Sequence, residues 1–403
     1  MIKALDGIKV LEMAPLGPGK YAGMILADLG ADIIAMDSKD RIANDQKKTT
    51  QYPCRWNMND IYNLTAESYN RNKRNIVLNI KNTDGLEVFH DLSSKADIII
   101  EGFRPGVTER LKVDYETVKS YNPRIIYCSI SGYGQSGPYK TLPGHDINYI
   151  SMSGAISTIG KQDEPPICPN NYLADWAGGS LNAVIGILSA LFWRERSGKG
   201  QYIDISMTDG VLSLISSAVY DYLNNNKKWN RGDAPFNNGF PYSNVYETKD
   251  KKYISIATVE PIFWERLCNL LGIPYFIEFE YAEGEKRQQI LDELKKIFLT
   301  KTREEWFNLL KNNDICVGKV YELDELEDDP QIKHREMIVQ IEHPKRGTVK
   351  QVGTAIRLSE TPCHLNRLPV ALPGMHTLQI LKELKINDSR IKKLCEEGTV
   401  WQR

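Results

Sequence analysis

IKVLEMAPLGPGKYAGMILADLGADIIAMD, residues 8–37, carries a strand, a helix and a second strand in thirty positions. IKVLEM (8–13) reads as a buried strand. GKYAGMILADLG (19–30) has helical periodicity and stops at Gly30, a residue type suited to the position after a helix. ADIIAMD (31–37) is the next strand. The rhythm continues outward. NIVLNI (75–80) reads as a third strand, followed by a helix over about 84–95. DIIIEGF (97–103) is a fourth, IIYCSISG (125–132) a fifth and QYIDISM (201–207) a sixth. Strands alternating with helices imply a parallel sheet covered on both faces, a Rossmann-like α/β domain.

A strong helix runs from Trp176 to Ser197, and another is expected at about 208–224. The Asn/Gly/Pro-rich stretch NNNKKWNRGDAPFNNGFP (224–241) marks a domain boundary. Beyond it, SNVYETKDKKYISIAT (243–258) reads as a hairpin, with helices at about 261–271, 284–299 and 302–313. The expected organisation is therefore a large domain over 1–225, a small α+β domain over 226–334 and a return to the large domain over 335–403. An acidic helix is expected near 322–337. IVQIEH and TVKQVG pair as a hairpin, and two helices end the chain.

Lys+Arg and Asp+Glu nearly cancel at 51 and 52, for a net charge of −1. No global basic field exists to hold nucleic acid or an anionic membrane. Seven scattered cysteines (Cys54, Cys128, Cys168, Cys268, Cys316, Cys363, Cys395) show no CxxC spacing. That pattern argues for a reducing cytoplasm and against a cysteine zinc site or disulfide framework. No secretory signal is expected in MIKALDGIKVLEM. The apolar run AVIGILSALFW is short for a membrane span.

Three residues are candidates for proton transfer. His145 stands in GHDINY (144–149), after the loop GYGQSGPYKTLP (132–143). Asp175 stands in NYLADWAGG (171–179), at the start of the long helix, where the commonest job of an Asp is N-cap. An imidazole works near neutral pH, and a carboxylate beside a helix start needs some burial to offset the dipole if it is to act as a base. Glu260, before Pro261, is a helix cap or a third group that orients the histidine. NRNKRN (70–75) places Arg71, Lys73 and Arg74 within four positions, and Arg104 follows the fourth strand. Ordinary surface charge explains such a cluster as well as a polyphosphate ligand does. Gly17-Pro18-Gly19 is not GxGxxG, so a nicotinamide is not expected. HExxH, GxSxG and Walker loops are absent from the sequence.

Taken together, LEMAPLGPGKYAGMILADLGADII, NRNKRNIVLNIK, EGFRPGVTERL, NPRIIYCSISGYGQSGPY, GHDINYISMSG, LADWAGG, RSGKGQYIDISM and VEPIFW resemble the class III CoA-transferase superfamily. Within it the chain most resembles the α-methylacyl-CoA racemases, which carry a histidine in the GHDINY string where transferases usually do not. The resemblance implies a Rossmann-like large domain, a smaller domain and an interlocked homodimer. It implies racemisation of 2-methyl-branched acyl-CoA thioesters through an enolate, with His145 and Asp175 exchanging the α-proton and Glu260 assisting. The alternative it implies is a CoA-transferase in which Asp175 becomes an acyl anhydride. A non-catalytic CoA-ester binding protein is a third reading. No metal or redox cofactor is expected; CoA enters as part of the substrate, its phosphates meeting Lys73, Arg74 and Arg104. Racemases commonly have an arginine after the second strand, where this chain has Ser38 and Lys39, so Lys39 is the substitute contact. The segment 41–69 is longer than usual for the family.

Overall fold

The strand β1 (Lys9–Met13) forms the centre of the large sheet, buried because its VLEM run is enclosed on both faces. The structure, a computed structural model, describes residues 2–14, 17–39, 64, 67–170, 172–234 and 239–403. The strands β2 (Asp32–Asp37), β3 (Lys73–Leu78), β4 (Ile98–Glu101), β5 (Ile126–Ser131) and β6 (Gln201–Ser206) join it in parallel. The order across the sheet is β12-β3-β2-β1-β4-β5-β6, where β12 is the two-residue strand Val400–Trp401. Without β12 this is the doubly wound order 3-2-1-4-5-6, which reverses direction between β1 and β4. β12 runs antiparallel to β3 and covers its edge. A strand that short carries no periodicity to read, so it was not expected.

Helices α1 (Gly17–Asp28), α2 (Thr83–Ser94), α3 (Asp146–Met152), α4 (Asn182–Ser197) and α5 (Met207–Leu214) follow in chain order. α6 (Pro261–Leu271), α7 (Gly284–Phe298), α8 (Arg303–Lys311), α9 (Thr377–Glu383) and α10 (Asp388–Glu396) complete the set used below. α2 starts where Asn82 accepts the Gly85 N–H, a side-chain cap. Its buried Phe89 and Leu92 pack with Leu11, Ile99 and Tyr127 of the sheet and with Ile380 and Leu394 of α9 and α10. The C-terminal segment thus belongs to the large sheet's core. Two expected helices are interrupted. The helix expected at 208–224 is α5 followed by Ser216–Asn225, and the acidic stretch is a 3-10 turn, Leu323–Asp328, then Pro330–His334.

The chain divides into two units: 1–152, 170–214 and 333–403 form the first, 153–169 and 215–332 the second. The segment 153–169 joins the second unit because Arg231 ties it down. Its Nε donates to the carbonyls of Lys161 (3.2 Å) and Glu164 (2.9 Å), and its guanidinium reaches Ser157 O at 3.1 Å. Such a long-range staple has no local signature. In the second unit β7 (Ser243–Glu247) and β8 (Tyr253–Ala257) form the expected antiparallel hairpin, extended by β9 (Val317–Val320). Trp264, Tyr246, Ile254, Phe298 and Trp306 fill its core. In the first unit β10 (Ile338–His343) and β11 (Gly347–Val352) pair as expected.

Candidate functional site

Parallel strands present ligands at their carboxyl ends, above all where the strand order reverses. A cavity of about 410 Å³ opens there. Its walls include Ala14 after β1, Gly102 to Arg104 after β4, and Ile130 to Gly132 at the end of β5. His145 and Asp175 both line it, as do Asn148 and Tyr149. The structure therefore brings the two principal candidates together across thirty positions of sequence.

His145 precedes the first turn of α3. Its N–H donates to Asn148 Oδ1 (3.0 Å), and its carbonyl accepts the Asn148 N–H (2.8 Å), so Asn148 closes the turn from both sides. His145 is exposed. Tyr149 wedges the loop below it: a Cβ on Gly132 or on Gly144 would fall 2.2 or 2.7 Å from its ring. Its hydroxyl donates to Gly144 O at 2.5 Å. Burial, with the charge of Asp175 next, pushes the Tyr149 phenol up to about 12, while Arg104 opposes the shift. At neutral pH it is an O–H donor.

Asp175 is not an N-cap. The helix begins earlier, as a π-helical segment at Tyr172–Leu181 that runs into α4, so Asp175 lies within its first turn. Wide π turns recur at functional sites, where they re-aim side chains. Asp146 Oδ2 accepts the N–H groups of Ala174 (2.8 Å) and Asp175 (2.9 Å). Burial raises the Asp146 carboxyl above its ordinary range, and these two donors counter the rise. The Asp175 carbonyl lies 2.8 Å from Ser180 Oγ, which also meets Pro18 O at 2.8 Å. The Trp176 ring lies against Gly17, where a Cβ would meet it at 2.4 Å, and packs edge-on with Tyr21 and Tyr69. Asp175 has a half-buried setting.

The basic residues divide. Arg104 is exposed and lines the cavity, together with Lys140, which sequence reasoning passed over because it stands alone in a polar loop. Lys39 is exposed beyond β2, beside Gly398 and outside this cavity's walls. The cluster expected in NRNKRN lies outside this cavity's walls. It opens β3, at the amino end of the strand. Arg71 is buried and grips Asp28 with Nε (3.1 Å) and its terminal nitrogen (2.7 Å), while also donating to Val352 O at 2.6 Å. Lys73 is fully buried against Glu12 (2.6 Å), and burial lowers its ammonium to about 8 despite that partner. Arg74 pairs with Asp32 at 2.7 Å and Glu383 at 2.5 Å. Adjacent charges in sequence resemble a patch; partners 42 to 309 positions away turn them into struts.

Glu260 belongs to the second unit. It precedes α6 with Pro261 at the first helical position, and its side chain makes no cap hydrogen bond. Burial, with the Glu260 charge a lesser cause, raises the neighbouring Glu280 carboxyl. The segment 41–63 lies outside the described residues.

The model of CoA-transferase family III matches residues 5–377. The chain is 32% identical over 405 residues to an α-methylacyl-CoA racemase of Mus musculus, covering 98% of this chain and 97% of that one. It is also 30% identical over 407 residues to a succinyl-CoA:glutarate CoA-transferase of Homo sapiens, covering 100% of this chain and 91% of the relative. The crystal structure of a CAIB/BAIF family protein from Brucella suis superposes with a TM-score of 0.80 at 29% identity, over 95% of this chain and 100% of that chain. A doubly wound sheet, a cavity at its reversal point and a match of this extent have one reading: the chain belongs to CoA-transferase family III and is an enzyme of the superfamily that contains both CoA-transferases and acyl-CoA racemases.

Proposed function

We propose that the protein racemises the α-carbon of 2-methyl-branched acyl-CoA thioesters. The observation that carries this reading is that His145 and Asp175 line one cavity at the carboxyl ends of β1, β4 and β5. In the proposal His145 takes the α-proton of the S substrate and Asp175 returns one to the opposite face; the roles exchange for the R substrate. The enolate formed is costly. A ten-unit mismatch between the C–H and a side-chain base amounts to about 14 kcal/mol, so donors to the enolate oxygen are required. The Ala174 and Asp175 N–H groups are already taken by Asp146. Glu260 keeps its assignment as the third, assisting group within the same proposal.

The chemistry calls for no metal or redox group, and CoA enters as substrate. Its phosphates are assigned to Arg104 and Lys39, with Lys140 added from the cavity wall. Lys73 and Arg74 are left out of that set because their charges are spent in ion pairs. A homodimer is proposed as the working form. One support is an exposed apolar row on the long helix: Leu181, Ile185, Leu188 and Phe192. A reducing, cytoplasmic setting is proposed on the six described cysteines, all free.

The competing reading is CoA transfer, with the Asp175 carboxylate attacking the thioester. The similarity to a CoA-transferase over the whole chain supports it. One experiment separates the two. A single enantiomer of a 2-methylacyl-CoA is supplied alone in deuterated water. Racemisation is expected, with deuterium entering the α-carbon and no second substrate needed. His145→Ala should lower that exchange at least about a hundredfold. An optically stable substrate, together with an anhydride trapped by hydroxylamine, would identify a transferase.

A further inference from the structure

Asp146 follows His145 directly, yet its side chain serves the other candidate. The residue is 5% exposed. One carboxylate oxygen receives two converging N–H groups, from Ala174 and Asp175, 28 and 29 positions away in the chain. The second oxygen is buried with no hydrogen-bond partner among the described groups. A charged acceptor shortens and strengthens such bonds relative to a neutral one. The Asp175 backbone is thus held at its N–H by Asp146 and at its carbonyl by Ser180.

We propose that Asp146 is a positioning residue that fixes where Asp175 stands relative to His145, so that the two proton-transfer groups move as one body. The inference rests on the reading of His145 and Asp175 as the reacting pair. A stereocentre approached by two groups tolerates little error in their spacing, and a displacement of about 1 Å costs on the order of a hundredfold in rate. Covalent adjacency to His145 on one side and paired hydrogen bonds to the Asp175 turn on the other remove that freedom. An acid rather than a second histidine-like group is suited to this place, because both bonded groups are donors.

The test uses the full chain with Asp146→Ala and Asp146→Asn. Asparagine retains an oxygen that can accept both N–H groups. The alanine variant is expected to lose about tenfold to a hundredfold in kcat with KM within about twofold, and asparagine to recover most of that loss. Amide hydrogen exchange over 172–181 is expected to accelerate in the alanine variant while the strands of the large sheet keep their protection. Unchanged kcat, equal loss in both variants, or exchange that accelerates throughout the fold would each overturn the proposal. Should the alanine variant not fold, Asp146→Glu replaces it, with the same kcat loss expected from an oxygen displaced by one methylene. If the wild-type protein itself exchanges no α-proton, the racemase reading fails. The amide exchange at 172–181, with hydroxylamine trapping at Asp175, then decides on Asp146: faster exchange with less trapping supports its role, and no change in either rejects it.

Discussion

Glu101, the last residue of β4, is 2% exposed, and it enters no reading made from sequence alone. Burial pushes its carboxyl up to about 7; Ser129 and the Phe103 N–H (2.7 Å) pull it down, and Glu109 and Asp204 push it further up. A carboxyl held above its unfolded value of 4.5 favours the fold while it stays protonated. Its contribution is complete below pH 4.5 and is lost as pH rises to about 7, a change of roughly 3 kcal/mol. Glu101→Gln keeps an acceptor for Phe103 and removes the titration. Calorimetry between pH 5 and 8 should show the wild-type Tm falling by a few degrees relative to this variant. Parallel curves would mean that Glu101 does not ionise in that range. The Phe103 N–H that this carboxyl accepts belongs to the Gly102 to Arg104 wall of the cavity. At this scale His145 and Asp175 stand out through the family resemblance, because by local pattern alone a helix-start acid is most often a cap and a loop histidine most often incidental. Glu101 does not, because a strand-end glutamate says nothing of its burial.

Between elements, the π-helical segment crosses α5 with almost no space. A Cβ on Gly210 would lie 2.3 Å from Gly178 O, and one on Gly178 would lie 2.7 Å from Met207 O. Both obstacles are backbone and cannot swing away. Gly210→Ala should therefore destabilise the protein by about 1–3 kcal/mol, although alanine favours a helix more than glycine does. Chemical denaturation reads this directly, with a lower midpoint at unchanged slope; an equal or raised midpoint would contradict the crossing. The long helix itself was legible from its apolar run and the closing Gly198, which adopts φ +72°. Its start was not. The widened turn depends on Gly178 and Gly179 meeting Met207 and on Asp146 capturing two N–H groups, all contacts with other elements.

For the whole molecule, the helical stretch Tyr172–Ser197 is long and apolar enough to cross a membrane by length and composition, and 39% of its most apolar window is buried. It contacts β5 and β6 of the large sheet and buries Ile187, Ala190 and Leu191, while Ile185 and Phe192 are each 61% exposed. An apolar row of that kind costs solubility unless something covers it. A second copy is the proposed cover. Sedimentation is expected to give a mass near twice 45.9 kDa, and Ile185→Lys with Phe192→Lys to shift it toward one chain. A wild-type monomer would remove the dimer from the proposal.

Sequence alone determined the alternation of six parallel strands with helices, and the hairpins. Those features depend on side-chain periodicity and turn chemistry within a few residues. Tertiary structure alone decided that Lys73 and Arg74 are struts, that 153–169 joins the second unit and that Asp146 holds the Asp175 turn. Each outcome depends on which distant group supplies the partner for a buried charge or N–H, and no local pattern encodes that choice.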